Sequence, residues 1–331
     1  MANTRLKRVL LASNVFRMAA RLRVRSAAIL MYHSVLEDPG QVASSLGRMI
    51  HGRRVFQDQM ELLAKEFNPV TLDHVLRFIR GEEDLPHRAV AVTFDDGYAD
   101  NYDVALPILE QVGVPAAFYA TVDCVENRRL PWPSRLRFAF FTTLKSAWRD
   151  DTGKVWPLST LQQRSESYLA ACDRLAQLAG EQQVKLILRI ESDLGRTLPK
   201  QCGQWMMTWG QLRGLAQKGH IVGSHTMTHP NLAYLGVADA RWELVESKRR
   251  LELQIGQTVA HFSYPCPALT PNWSDVTTEE SRCAGYQTAV TTSSGLVDRY
   301  DNPLALRRIP PTKTLDGMRW NLEAAFAGKS V

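Results

Sequence analysis

The chain lacks any apolar run of the roughly 20 residues that a membrane-spanning helix requires. Cysteine is sparse: Cys124, Cys172, Cys202, Cys266 and Cys283 are odd in number, scattered and free of any C-x-x-C pair. That spacing argues against a disulfide framework and fits a reducing compartment. No zinc-finger spacing, helix-turn-helix signal or aromatic–basic stretch is present, so no nucleic-acid partner is expected. Internal repeats and low-complexity tracts are missing too. Charge of one sign is in only mild excess, with a net charge of +6. This fits an anionic glycan, a lipid-linked sugar phosphate or a membrane surface without separating them.

What is present is an ordinary globular composition, 45% hydrophobic over 331 residues, enough for one large or two modest domains. α/β barrels often run to this length as one unit. The segment 1–26 stands apart. Between Thr4 and Arg25, apolar residues such as Leu6, Leu10 and Phe16 alternate with Lys7, Arg8, Arg17 and Arg21. Asn14 and Arg17 interrupt the apolar part and no clean cleavage site follows, so it does not read as a secretory signal. Two readings stay open: a basic amphipathic helix on the inner membrane face, or a helix packed on the outside of the fold. A cytoplasmic location is expected, peripheral to the membrane if the first reading holds.

From residue 27 onward, strands and helices alternate. Ala27–Tyr32 reads as a strand with His33 at its end, Phe56–Phe67 as a helix, and Thr71 as the cap of the next. Val90–Phe94 is a buried strand; Tyr102–Val112 is a helix stopped by Gly113 and Pro115; Ala116–Thr121 is the next strand. This pace means a parallel sheet. From about 126 to 204 only helical patterns occur (135–144, 161–179, 184–194), which reads as an α-helical insertion. It is a substrate lid, inert packing or an interface. The alternation resumes at Thr208, which with Gln211 forms a capping-box pattern. Strands follow at 220–223, 261–264, 288–292 and 306–309, with helices at 238–255, 273–283 and 315–327.

Two stretches carry chemistry. Val90–Phe94 ends abruptly in Asp95-Asp96-Gly97. Adjacent carboxylates at a strand end repel each other and call for a cation or a catalytic task, although Asp-Gly is also ordinary turn chemistry. The second stretch, Gly223-Ser224-His225-Thr226-Met227-Thr228-His229-Pro230, places two histidines at i and i+4 on one face of a helical turn. Two histidines plus one aspartate make an N,N,O set with open positions for water and substrate.

T-F-D-D-G after a strand, followed far downstream by S-H-T-x-T-H-P, resembles the NodB-type polysaccharide deacetylases, carbohydrate esterase family four. Met31-Tyr32-His33, Thr208-Trp209, Phe262-Ser263-Tyr264-Pro265, Ala284-Gly285-Tyr286 and Leu306-Arg307-Arg308-Ile309 fall in the same order. The resemblance implies a distorted (β/α) barrel of mostly parallel strands over 27–331, interrupted by the insertion at about 126–204. It implies that Asp96, His225 and His229 bind one divalent metal, zinc first with cobalt or nickel as alternatives, while Asp95 is the base. A cation so held acts as a Lewis acid on the acetyl oxygen and lowers the pKa of water. An oxyanion is expected to meet a backbone N–H near Cys266.

Three departures matter. Serine stands in Phe262-Ser263-Tyr264-Pro265 where many members have arginine. Cys266-Pro267 replaces the usual aromatic and glycine, and Pro267 has no N–H to offer. The histidine often found in the last motif is missing from Leu306-Arg307-Arg308-Ile309, and His33 is the expected substitute as general acid. Tyr264, Tyr98 and Trp209 are the candidate sugar-binding aromatics, with core packing the alternative for Tyr98 and Trp209. His220 and His261 precede strands and face the wrong end. The expectation is a metal-dependent hydrolase removing N-acetyl groups from an N-acetylhexosamine-containing polysaccharide or its lipid-linked precursor, as in exopolysaccharide biosynthesis. An O-acetyl esterase and a non-catalytic carbohydrate-binding relative are the alternatives.

Overall fold

A computed structural model describes Phe16 and residues 25–37, 49–199 and 204–329. Its frame is one sheet of seven parallel strands: β1 Ser26–Tyr32, β2 Ala89–Phe94, β3 Ala116–Ala120, β4 Ile221–Ser224, β5 His261–Ser263, β6 Thr288–Ser294 and β7 Leu306–Arg308, paired in that order. The strand Val297–Asp298 runs antiparallel to the start of β1, and Asn68–Pro69 pairs with the start of β2. Beyond Ala27 the same edge of β1 turns to β7. The Met31 N–H donates to Ile309 O at 3.2 Å, and the Ile309 N–H to Ile29 O at 2.8 Å. The sheet thereby curls into a nearly closed barrel.

The strands read as near-continuous apolar runs because both faces are covered. All six residues of β2 are buried. Between the sheet and the helices that cover it, Phe94 stacks on Phe118 at 4.8 Å, and Tyr32 stacks on Phe94 at 5.6 Å. Around the barrel lie the helices α1 Arg53–Glu66, α2 Leu72–Ile79, α3 Leu106–Val112, α4 Val122–Glu126, α5 Trp132–Thr142, α6 Leu161–Leu175, α7 Gly180–Leu194, α8 Trp209–Gln217, α9 Val237–Ile255, α10 Asp275–Cys283 and α11 Leu315–Phe326. Their limits follow local chemistry. Thr208 caps α8 in a capping box with Gln211 and Thr71 caps α2, both as the sequence predicts. At Thr71 the His74 side chain completes a capping box that the sequence did not announce, and Gly113 ends α3 at a left-handed φ of 70°. One turn of π-helix, Asn101–Ala105, precedes α3 directly beside the candidate site.

The stretch 126–204 holds α5, α6 and α7, which pack into a cluster of their own around Trp132, Phe140, Trp148 and Leu175. It is not purely helical: Ala147–Arg149 and Val155–Pro157 form an antiparallel hairpin. The alternation there is too short to register in the sequence. Most of the segment 1–26 lies outside the described residues. Phe16 is buried and meets Trp320 of α11 edge-on at 5.3 Å, so at this residue the segment packs on the fold. No described helix is long and apolar enough to cross a membrane.

Candidate active site

The C-terminal ends of parallel barrel strands open onto one mouth, and the backbone there is unusual. After Phe94 the Asp95 N–H still donates to Tyr32 O at 3.0 Å, which extends the β1–β2 ladder by one residue. The chain then turns sharply through Asp96 and Gly97, at φ 75° and 87°. Gly97 is required: a Cβ there would lie 3.3 Å from the Ala120 backbone, in a conformation that side chains resist. Asp96, Thr226 and His229 are all non-glycine residues with positive φ, at 75°, 67° and 65°. Such strain collects where the surrounding structure over-determines a functional geometry.

The histidine motif follows β4. It is not a helical turn, as its i, i+4 spacing predicts, but an irregular loop through two left-handed residues. Several contacts fix it. The His225 N–H donates to Ala120 O at 3.0 Å, and Val122 and Asp123 donate to Thr226 O and Met227 O at 3.1 and 3.0 Å. From α9, the buried Glu243 accepts the Met227 and Thr228 N–H groups at 2.8 and 2.9 Å and the Thr228 hydroxyl as well. From α5, Trp132 Nε1 donates to His229 O at 2.9 Å.

The result is a compact donor set. Asp96 Oδ1 lies 3.4 Å from His225 Nε2 and 3.2 Å from His229 Nε2, and all three side chains are buried. Asp96 Oδ1 is nonetheless without a hydrogen bond of acceptable geometry, an expensive condition for a buried carboxylate. One divalent ion between the three donors would remove it, so the residues present fit a metal. His225 Nδ1 donates to Ser263 O at 2.7 Å, which fixes the tautomer that turns the Nε2 lone pair toward Asp96. Burial opposes charge on Asp96, but the His225 and His229 imidazoles beside it outweigh that and hold its pKa well below the ordinary carboxylate range. His225 is held above the usual imidazole range: burial works against the cation, and Asp96 and Asp95 prevail.

Asp95 is separate from the triad and differently held. Arg308 Nη1 and Nη2 donate to its two oxygens at 2.9 and 2.8 Å, and Arg308 is 1% exposed. Burial would raise the Asp95 pKa; Arg308 overrides it and keeps the carboxyl ionised. Arg308 is itself tied to Thr291 O through Nε at 2.7 Å and reaches Ser263 Oγ at 3.3 Å. This residue was given no role from the sequence, although it sits in a quoted motif. The signal was available: Leu306 and Arg308 are inward positions of a short strand, and a buried arginine must have an anion.

The structure collects the remaining candidates unevenly. His33 is half-buried in the same cavity, and Asn101 Nδ2 donates to its carbonyl at 2.6 Å. Burial lowers its pKa, more strongly than Asp96 and Asp95 raise it. Tyr264 lines the cavity, but its hydroxyl is used up on Ser281 Oγ and Leu304 O, each at 3.1 Å. Tyr98 and Trp209 are corrections. Tyr98 is fully buried with its hydroxyl 3.2 Å from Ser134 Oγ, and Trp209 packs on the barrel core at the start of α8. Neither lines the cavity. Cys266 and Pro267 do. His220 and His261 are occupied elsewhere, with the Ala116 N–H and with Asp73 and Thr288.

The cavity above the triad has a volume of about 610 Å³. One wall comes from the barrel; the other comes from α5 and α6, through Ser134, Arg137, Phe141, Ser165 and Tyr168. None of these wall residues was singled out from the sequence.

Comparison with known proteins identifies the fold and the family. The chain is 21% identical over 290 residues to the Bacillus subtilis (strain 168) protein YxkH, provisionally named a polysaccharide deacetylase, across 87% of this chain and 72% of that one. Among solved structures it resembles the Streptococcus pyogenes deacetylase PplD in complex with acetate, with a TM-score of 0.60, 18% identity, and coverage of 89% of this chain and 97% of that one. It also resembles IcaB from Ammonifex degensii, with a TM-score of 0.59, 19% identity, and coverage of 92% and 98%. These likenesses establish the α/β barrel fold. The profile of the polysaccharide deacetylase family matches residues 82–152 and 161–289. It thus runs through the helical stretch and breaks only around the second strand of the hairpin. Matched over more than half its length, the chain belongs to the polysaccharide deacetylase family, a family of hydrolases.

Proposed function

We propose that the chain is a metal-dependent N-deacetylase acting on an N-acetylhexosamine-containing glycan or its lipid-linked precursor. The observation that carries this reading is an ionised carboxylate, Asp95, locked by Arg308 beside a separate Asp96–His225–His229 donor set at the floor of one cavity. A sugar-binding module has no need of a second carboxylate, outside the donor set, in that place.

Asp96, His225 and His229 would hold the cation, with zinc the first expectation for an Asp/His/His set. When bound, a divalent ion with open positions supplies Lewis acidity toward the acetyl oxygen and lowers the pKa of water. Asp95 takes the proton of the attacking water. Both of its oxygens already accept from Arg308, but each keeps a further lone pair. Arg308 fixes the orientation of Asp95 and holds it ionised, at some cost in basicity. His33 is the proposed proton donor to the leaving nitrogen. Its lowered pKa makes it a strong donor when protonated and leaves few molecules protonated at neutral pH. Tyr264 is fully buried, with its ring against Phe262 and its hydroxyl committed, so its side chain supports the cavity from the core and offers the sugar no open ring face.

The test is acetate release from defined N-acetylated oligosaccharides by the pure protein, before and after chelation. Release that needs added metal supports the reading. Release from O-acetylated and not N-acetylated glycans would replace it with an esterase, and no release from either, with intact binding, would leave a carbohydrate-binding protein.

A further inference from the structure

We propose that Arg137 on α5 forms an anion subsite in the cavity wall facing the donor set, and that the substrate glycan carries an oxyanion, a carboxylate or a phosphate. This rests on the deacetylase reading for the neighbouring chemistry. Arg137 is the one arginine or lysine among the cavity's described lining residues. Its guanidinium lies over the Phe141 ring, 4.3 Å from the centroid, and its Nε is buried without a hydrogen-bond partner. Neighbouring arginines of the same helical unit are satisfied by the protein. Arg135 makes a bidentate pair with Glu191 at 2.9 and 2.7 Å, Arg164 donates to Phe140 O at 3.0 Å, and Arg196 donates to Thr142 O at 2.9 Å.

The cavity cannot supply the missing anion. Its lining carboxylates are Asp95, held by Arg308, and Asp96, a member of the donor set. Stacking on Phe141 uses the flat face of the guanidinium; with Nε closed off from the cavity, the Nη groups are the donors left for a ligand, already oriented. A planar fork of that kind matches carboxylate and phosphate oxygens, and pre-orientation cuts the entropy lost on binding. A neutral glycan would leave the partly desolvated cation unpaired. An N-acetylated sugar next to a uronic acid, or one attached to a lipid diphosphate, would pair it.

The two sources share one chemistry, and separate arms distinguish them. Acetate release and calorimetric binding would be measured with neutral chitotetraose, a hyaluronan tetrasaccharide (carboxylate) and farnesyl-diphosphate-linked N-acetylglucosamine (diphosphate). Wild type, Arg137→Met and Arg137→Lys would be compared. We expect wild type to prefer an anionic ligand, and Arg137→Met to lower the anionic-to-neutral ratio of affinities by about 10- to 100-fold, the span of one lost charge-assisted pair. Arg137→Lys should restore only part, because it keeps the charge and loses the fork. Should Arg137→Met fail to fold, the wild-type preference must still weaken with rising salt for the anionic ligand more than for the neutral one. No anionic preference in wild type, or equal losses on all three ligands, overturns the proposal. If acetate is released from chitotetraose without any such preference, the subsite falls and the deacetylase reading stands. If anionic ligands bind through Arg137 and no acetate is ever released, the reverse holds.

Discussion

Arg308 at the end of β7 and Asp95 at the end of β2 face each other as a buried, two-bond ion pair, with contacts of 2.9 and 2.8 Å. The pair links two strands far apart in sequence and adjacent to β1 on either side of the barrel's closure. Ser263 stands where related motifs often carry an arginine, and the Arg308 guanidinium reaches Ser263 Oγ at 3.3 Å. The positive charge that the β5 motif lacks is thus supplied from β7.

Removing that charge should therefore act through Asp95. Because Arg308 holds the Asp95 pKa down, the active carboxylate form is lost only as pH falls through a value below the ordinary range. Arg308→Met should shift the acidic limb of kcat/KM to higher pH and cost roughly 3–5 kcal/mol of stability, the usual penalty for leaving a buried charge alone. Arg308→Lys should fall between. A pH–rate profile with its acidic limb unmoved in Arg308→Met would show that Arg308 does not tune Asp95.

The donor set and the proposed base, Asp95, can be separated by metal analysis. His225→Ala should lose bound metal and activity together, because a ligand has gone. Asp95→Asn should keep the metal while losing about two to four decades of turnover. Full metal occupancy in a variant with Asp96, His225 and His229 all replaced by alanine would remove them as ligands.

Much of this arrangement could be read from the chain, and the rest hid for identifiable reasons. The barrel strands are buried on both faces, so β-branched and apolar runs such as 90–94 mark them directly. Asp96, His225 and His229 declared themselves through adjacent carboxylates and paired histidines. Arg308 and Glu243 did not, because each acts by a contact across the fold, and Arg137 did not, because a lone charged residue in a strand or helix has no local signature. Tyr98 misled in the opposite direction. It follows the Asp-Asp-Gly turn closely, yet the left-handed residues there send the chain inward and bury it. The loop around His225 looked helical because an i, i+4 spacing is the only local cue, and nothing in it reports two left-handed residues.

Glu243 offers a pH signature of that hidden support. Burial pushes its carboxyl up from 4.5 to about 7, against the bonds from the Thr228 side chain and from the Thr228 and Met227 N–H groups. A raised carboxyl binds more protons folded than unfolded between those values, so its contribution to stability declines as pH rises through that window. Glu243→Gln, which imitates the protonated form, should match wild type near pH 5 and exceed it by up to a few kcal/mol near pH 8. Urea denaturation at both pH values checks this. Asp100, also pushed up to about 7 by burial, titrates in both proteins and cancels in the comparison. A gap between the two proteins that does not change with pH would contradict the linkage.

The proton for the leaving nitrogen is the remaining question, and His33 is the residue to vary. It lines the cavity with Asp95 and Asp96, and its backbone is anchored through Asn101, so a side-chain substitution need not move the strand end. Expelling an amide anion is prohibitive, whereas an activated aryl acetate leaves with little protonation. His33→Ala should therefore slow an N-acetyl substrate by about two to four decades and the aryl ester far less, with metal content unchanged. The direction of its pKa adds a second readout. Burial lowers it from 6.5, so the imidazolium is present at low pH and is lost as pH rises through a value below 6.5. The limb of the wild-type profile that declines with rising pH in that range should be missing from His33→Ala. The low-pH limb set by Asp95 ionisation should remain. If both substrates decline equally, with metal and profile shape intact, His33 only packs against the site and the proton reaches the nitrogen from Asp95.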